Sequence, residues 1–249
     1  MASRRGQLLD GVLLLDKPEG LSSTHALSRA KRTLDARKAG HTGTLDPFAT
    51  GLLVCCLGKA TKISGQMLNA DKGYVATVRF GQETDSGDLT GHVVSEAPEG
   101  FSGVDRNELE TALQQFRGPI EQIPPMYSAL KRDGKPLYEY ARKGIELERE
   151  PRQVIIHRLQ LLSFEGMQAT LEVQCSKGTY IRTLAQDIGR VLGCGAHLVA
   201  LRRTSVGPFQ LSDAITLEAL QAMPAPQSVL IPMNALPDGL MPAPTLQKD

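Results

Sequence analysis

The sequence predicts an α+β fold with a mixed, largely antiparallel central sheet flanked by helices. Three observations carry that expectation. Strand-like and helix-like runs are interspersed without strict alternation, two apolar runs read as sheet partners across a short turn, and one amphipathic helical stripe is continuous. At 249 residues, 41% hydrophobic and 22% charged, the chain is long enough for a substantial core and too apolar for wholesale disorder.

The elements follow in order. Residues 11–15 read as a short buried strand, and residues 23–34 as a basic helix capped by Ser22 or Ser23. Residues 52–57 are a continuous apolar run between Gly51 and Gly58, typical of a central strand. From 74 to 80 the pattern alternates, placing Tyr74, Ala76, Val78 and Phe80 on one face. Residues 82–91 are polar and glycine-containing, which predicts a loop. Leu109, Ala112, Leu113 and Phe116 keep helical spacing, and Pro119 is expected to end that helix. Residues 154–162 and 170–175 read as paired strands joined through Glu165-Gly166. Residues 180–192 give the cleanest helix: Ile181, Leu184, Ala185, Ile188, Val191 and Leu192 form one stripe, with Gly193 at C′. Residues 196–201 read as another strand. Beyond residue 223, Pro224, Pro226, Pro232, Pro237, Pro242 and Pro244 crowd a tail with too little periodicity for a second core.

No apolar stretch approaches the length of a membrane span, and no secretory apolar run follows Arg4-Arg5, so a cytoplasmic protein is expected. Cys55 and Cys56 are adjacent while Cys175 and Cys194 stand alone. Without Cys-x-x-Cys spacing they suggest neither zinc nor a disulfide framework, and they read as buried free thiols. A net charge of +1 argues against a uniformly basic nucleic-acid binder, yet the charge is unevenly placed. Arg4, Arg5, Lys17, Arg29, Lys31, Arg32, Arg37, Lys38, Lys59 and Lys62 face only Asp10, Asp16, Glu19, Asp35 and Asp46 in the same stretch. Lys177, Arg182, Arg190, Arg202 and Arg203 are opposed by Asp187 alone. These segments make either a phosphate-binding face or ordinary solvated surfaces, and composition leaves both open.

The stretch that bears chemistry is Gly40-His41-Thr42-Gly43-Thr44-Leu45-Asp46-Pro47-Phe48-Ala49-Thr50-Gly51. Three glycines and a proline confine its backbone, which fixes a side chain on a loop between regular elements. Asp46-Pro47 is equally a good helix N-cap followed by a good N1 residue, and the residues alone leave both readings standing. No phosphate-binding glycine loop with its lysine, no metal cluster and no Ser-His-Asp set accompanies it.

His41-Thr42-Gly43-Thr44-Leu45-Asp46-Pro47, with Ala49-Thr50-Gly51-Leu52-Leu53 behind it, resembles the catalytic signature of the TruB family of pseudouridine synthases. Four further stretches resemble that family in the same order. They are Leu15-Asp16-Lys17-Pro18-Glu19-Gly20-Leu21-Ser22-Ser23, Asp71-Lys72-Gly73-Tyr74, Gln122-Ile123-Pro124-Pro125-Met126-Tyr127-Ser128-Ala129-Leu130-Lys131 continuing to Ala141-Arg142, and Cys175-Ser176-Lys177-Gly178-Thr179-Tyr180-Ile181-Arg182-Thr183-Leu184. Leu201-Arg202-Arg203-Thr204 follows. The resemblance implies the pseudouridine synthase fold and conversion of uridine 55 in the tRNA T loop to pseudouridine. It implies the tRNA T arm as partner, no cofactor, no obligatory protein partner, no membrane and a monomer.

By the same resemblance Asp46 is the carboxylate that assists glycosidic cleavage, as nucleophile or as base at C2′. Arg182 is its bidentate partner. Tyr74 is the stacking platform, its hydroxyl helping to remove the C5 proton, and His41 helps open the T loop. Lys17, Lys177, Arg202 and Arg203 are expected to make phosphate or local site contacts, and Tyr180 and Leu201 to lie against substrate. Residues 1–232 are read as the catalytic domain and 233–249 as a Pro-rich tail, where the family usually carries a PUA-type RNA-binding domain. Two other readings compete: a non-catalytic tRNA-binding or remodelling protein, and the guide-dependent pseudouridine synthase of a ribonucleoprotein. The Tyr127-Ser128-Ala129-Leu130-Lys131 and Leu137-Tyr138 stretch favours the stand-alone form.

Overall fold

A computed structural model describes residues 6–240; Arg4 and Arg5 of the basic N-terminal segment, and Pro242 and Pro244 of the tail, lie outside the described residues. The chain forms two units: one runs through Gly73 and resumes at Arg202, and the other is Tyr74–Leu201. No described helix is long and apolar enough to cross a membrane.

The first unit opens with β1 (Gly11–Lys17), α1 (Ser23–Thr33), β2 (Ala39–Thr42) and β3 (Thr50–Leu57). β3 pairs antiparallel with both β1 and β2. Its period-2 geometry sorts the apolar run onto two faces, each covered. Leu53, Cys55 and Leu57 join Leu13 and Leu15 under Ala26, Ala30 and Leu34. Leu52, Val54 and Cys56 join Val12 and Leu14 against Ala60, Ile63 and Met67. Met67 belongs to α2 (Ser64–Asn69). Ser22, not Ser23, caps α1 by accepting the His25 N–H, and Lys31 and Arg32 in the last turn suit the negative end of the helix dipole. Burial pushes the Cys55 thiol far above its ordinary range, which keeps it inert, and all four cysteines are free and buried.

The chain enters the second unit along β4 (Lys72–Phe80), where Tyr74, Ala76, Val78 and Phe80 are all buried, as their alternation predicts. β5 (Gln82–Thr84) then pairs with β6 (Val93–Glu96), so part of the stretch read as loop is a hairpin. The apolar signal was missing because β5 is Gln82-Glu83-Thr84, paired to a strand exposed along its whole length. α3 (Arg106–Gln114) buries Leu109, Ala112 and Leu113 behind an Asp105 N-cap. It ends before Pro119, in a tight turn closed by Gln115 and Phe116 N–H bonds to Ala112 and Leu113 carbonyls. Pro119 instead belongs to β7 (Gly118–Gln122).

After the small hairpin of β8 (Lys131–Arg132) and β9 (Lys135–Pro136) comes α4 (Leu137–Ala141). β10 (Arg152–Phe164) pairs antiparallel with β7 and with β11 (Gln168–Cys175), confirming the expected strand pair. α5 (Ile181–Val191) buries Ile181, Leu184, Ala185 and Ile188, but Val191 is exposed. Gly193 follows at C′, its N–H bonded to the Arg190 carbonyl.

β12 (Ala196–Val206) begins in the second unit and ends in the first, where it pairs parallel with β3 (Arg202↔Thr50, Arg203↔Gly51). β13 (Phe209–Gln210) folds back on it. β14 (Ile215–Thr216) lies parallel to β1, and α6 (Leu217–Ala222) adds Leu217 and Leu220 to the core under α1. Ile231 then exchanges two 2.9 Å backbone hydrogen bonds with Val12, and Leu236 and Leu240 fill the core on the other face. The architecture is α+β with a mostly antiparallel sheet, as the sequence predicts.

Candidate active site

Asp46 sits, half-buried, on the loop between β2 and β3. No helix follows it. The Ala49 N–H bonds the Asp46 carbonyl at 3.0 Å, closing a four-residue turn with Pro47 in its second position, so the N-cap reading of Asp46-Pro47 gives way to a turn. The loop is anchored at successive residues. Arg203 donates from Nη2 to the Gly43 carbonyl (3.0 Å) and from Nε to the Leu52 carbonyl (2.8 Å). The Leu45 N–H donates to Ser23 Oγ (2.8 Å), which in turn donates to the Leu45 carbonyl (3.0 Å). The Pro47 carbonyl accepts the Gly20 N–H (2.7 Å) and Lys17 Nζ (3.4 Å).

Gly51 is the hub of this packing. It lies between Lys17 on β1 and Arg203 on β12. Its φ is +101°, and a Cβ there would come within 2.3 Å of the Arg203 carbonyl oxygen. Any other residue would push β12, and with it the Arg203 fork, off the loop.

Both cations beneath the loop are enclosed. Lys17 is 0% exposed and also donates to the Pro18 (2.8 Å) and Leu21 (2.7 Å) carbonyls. Of the two roles expected for Lys17, phosphate contact or local site contact, its burial leaves the local one. Arg203 is likewise buried, and of its two expected roles its bonds to the Gly43 and Leu52 carbonyls leave the local one. Desolvation lowers the Lys17 ammonium to about 8, against the opposing pull of Asp46 and Glu19. Burial, reinforced by the positive charge of Arg203, also holds His41 below its ordinary value, favouring the neutral imidazole. Arg202 forms a bidentate pair with Asp16 (3.1 and 2.7 Å) and reaches Thr50 Oγ1 at 3.2 Å, so its fork is engaged by the protein.

The second unit carries Tyr74, Lys177, Tyr180, Arg182 and Leu201. Arg182, in the first turn of α5, is buried. It donates to the Ser86 carbonyl (2.8 Å) and the Tyr127 carbonyl (2.6 Å), with Asp88 Oδ2 at 3.9 Å from Nε. Asp88 is fixed in turn by Ser86 Oγ and by the Thr90 N–H, each at 2.9 Å. Tyr180, at the start of α5, is held through its backbone: its N–H donates to Gln122 Oε1 (3.0 Å) and its carbonyl accepts Gln122 Nε2 (3.2 Å). Tyr74 and Leu201 are each 7% exposed, while Lys177 is exposed on the turn before α5.

The sequence reading passed over Ser23, Gln122 and Asp88 as positioning residues. Ser23 reads as a helix cap and as the end of a family-like stretch, and Asp88 lies in the polar, glycine-containing stretch that predicts a loop. The Ser86-Gly87-Asp88-Leu89-Thr90 pattern, an Asp whose carboxylate takes the N–H two residues on, was the available signal for the latter.

With this geometry in hand, the chain can be set beside known proteins. The family described as "TruB family pseudouridylate synthase (N terminal domain)" matches residues 31–181, and "tRNA pseudouridylate synthase B C-terminal domain" matches residues 182–242. A Bordetella pertussis protein named tRNA pseudouridine synthase B is 74% identical over 243 residues, spanning 98% of this chain and 100% of its own. A Chromobacterium violaceum protein of the same name is 60% identical over 92% of this chain and 74% of its own. Among solved structures, a chain from "Crystal Structure of a Cbf5-Nop10-Gar1 Complex" aligns with a TM-score of 0.71 at 30% identity. It covers 92% of this chain, which spans 61% of that longer one. The anchored Asp46 loop and the Arg182 helix both fall within the residues matched, and the chain belongs to the TruB family of pseudouridine synthases.

Proposed function

We propose that this chain isomerises uridine 55 in the tRNA T loop to pseudouridine, with Asp46 as the reacting carboxylate. The observation that carries the reading is the Asp46 loop itself: a half-buried carboxylate on a backbone pinned at Gly43, Leu45 and Pro47. Such pinning suits a group that must meet one sugar carbon, because misplacement by about 1 Å costs on the order of a hundredfold in rate. The 74% identity to a protein named tRNA pseudouridine synthase B supports the choice of substrate.

Isomerisation breaks the C1′–N1 bond, turns the uracil and forms the C1′–C5 bond, and the C5 proton then leaves. Asp46 assists by attack or by taking the C2′ proton. Tyr74 supplies a ring for the extruded base and a hydroxyl for the final proton transfer. Arg182 supplies the guanidinium on which turnover depends, and His41 assists opening of the T loop. Extruding the base costs a few kcal/mol, and stacking on an aromatic returns about 1–3 kcal/mol, so net affinity comes from phosphate contacts. Lys177 is assigned to these, Arg202 to a local site contact through its pair with Asp16 and its bond to Thr50, with Tyr180 and Leu201 bordering the substrate. The atoms balance within the uridine, so the reaction calls for no cofactor. We further place the enzyme in the cytoplasm, acting as a monomer without a protein partner.

The test is incubation of purified protein with an unmodified tRNA transcript, followed by mapping of pseudouridine. Wild-type protein gives product at position 55 without added protein or RNA. Asp46→Asn gives none while binding tRNA within about threefold of wild type. Product that requires a guide RNA would assign the chain to the ribonucleoprotein class, and binding without product in the wild type would make it a remodelling protein.

A further inference from the structure

The second unit contains a cavity of about 920 Å³ whose chemistry is opposite to that of an RNA site. Glu83, Asp85, Glu121, Glu146 and Asp187 line it, against only Arg149 and Arg190. Both guanidiniums are ion-paired with carboxylates of the same lining, although the Arg149 Nε–H has no hydrogen-bond partner among the described residues. Arg190 is shared between Glu83 and Asp187, and Arg149 pairs with Glu146 at 2.9 Å. The lining therefore carries an excess of negative charge, which repels phosphate and attracts cations.

Two further features separate it from an ordinary acidic surface. Thr183, on the α5 face that also presents Gln186, Asp187 and Arg190, lines the cavity and is only 5% exposed, yet its Oγ1 has no hydrogen-bond partner among the described residues. A buried hydroxyl left unpaired is uncommon and costly, and an N–H donor from a ligand would satisfy it. Ile123, Pro125, Met126 and Ile145 add apolar lining, and Ile123 and Ile145 are exposed despite their size.

We propose that this cavity binds an aliphatic polyamine. Carboxylates recognise its ammonium groups, Thr183 Oγ1 accepts one N–H, and the apolar lining covers the methylene segments between charges. The volume falls within the range of about 300–1,000 Å³ usual for small-molecule sites. The proposal is independent of the tRNA reading, and its test contains no RNA.

The experiment is calorimetric titration of the full chain with spermidine, repeated in the presence of Mg²⁺ at equal total charge. The expected result is one saturable site per chain that Mg²⁺ does not displace. Asp187→Asn should weaken it at least fivefold and Thr183→Val at least threefold. Glu121 is exposed on β7, so Glu121→Gln keeps the fold whatever the other variants do, and it too should weaken binding measurably. The proposal is overturned by the absence of saturable heat, by equal displacement with Mg²⁺, or by Glu121→Gln and Thr183→Val variants that bind spermidine as wild type does.

Discussion

Two adjacent serines make opposite predictions. Ser23 is 1% exposed, and its Oγ holds both backbone groups of Leu45, the residue before Asp46. In Ser23→Ala the buried Leu45 N–H and C=O both lose their side-chain partner. A buried unsatisfied group costs about 1–3 kcal/mol, and relaxation recovers part of it, so the expected loss is about 2 kcal/mol. For a chain of this size each kcal/mol moves Tm by about 2–4 °C, giving a fall of about 4–8 °C. Ser22 makes a single, exposed cap bond of 3.2 Å to His25, and Ser22→Ala should cost about 0.5–1 kcal/mol. The decisive contrast is catalytic. Ser23→Ala should lower kcat about tenfold while KM for tRNA stays within about twofold, because only the Asp46 backbone is loosened. Ser22→Ala should leave both unchanged, and Ser23→Thr, which keeps the hydroxyl, should recover most of the loss. Calorimetry and steady-state kinetics on the three variants decide it. If Ser23→Ala turns over like wild type, or if the two alanine variants lose kcat equally, the loop is not held in the way argued here.

Other expectations follow from the same geometry. Lys17 is lowered to about 8 in the folded chain from 10.5, so the unfolded chain binds the extra proton between those values. Stability relative to Lys17→Met should therefore rise as pH climbs from 8 to 10.5; urea denaturation at pH 7.5 and 10 that gives a constant difference would contradict it. His41 is held below 6.5, so its contribution is present above that pH and is lost on acidification through its folded value. An NMR titration midpoint at or above 6.5 would remove that argument. Arg182→Lys keeps the charge but cannot reach the Ser86 and Tyr127 carbonyls together, and turnover should fall at least tenfold with tRNA affinity retained. Wild-type single-turnover rates in that variant would show that the fork is dispensable.

Much of the fold was legible because burial leaves a period in the sequence. The continuous apolar run of β3, the alternation of β4 and the stripe of α5 each record how many faces are covered. β5 and β6 left no such record, since β6 is exposed along its whole length and pairs with β5 mainly through the backbone. The Asp46 loop was visible through its glycines and proline, whereas its supports were not. Lys17 and Arg203 read as surface cations because a charge sequence does not say which lysine has carbonyls closed around its ammonium. Ser23 and Gln122 act on backbone groups far away in the chain, at Leu45 and Tyr180, and contacts between side chain and distant backbone leave no spacing rule to find.

The unit that bears Asp46 is assembled from both ends of the chain: β1 and β3 near the start, and the last part of β12, β14, α6 and the Leu236 and Leu240 core residues near the finish. A ribosome therefore delivers the Asp46 loop early but the Arg203 fork that holds Gly43 some 160 positions later. The intervening unit is contiguous, and its last residue is made as soon as Leu201 emerges. Until the C-terminal residues are made, the β1–β3 pair has α1 over one face and Ala60, Ile63 and Met67 over the other, but lacks Leu217 and Leu220 on the first and Val206, Phe209, Leu236 and Leu240 on the second. During synthesis the carboxylate-bearing loop therefore gains its last brace late: a nascent chain stalled before Arg202 would hold it at Leu45 and Pro47 but not at Gly43, a natural substrate for chaperones and proteases.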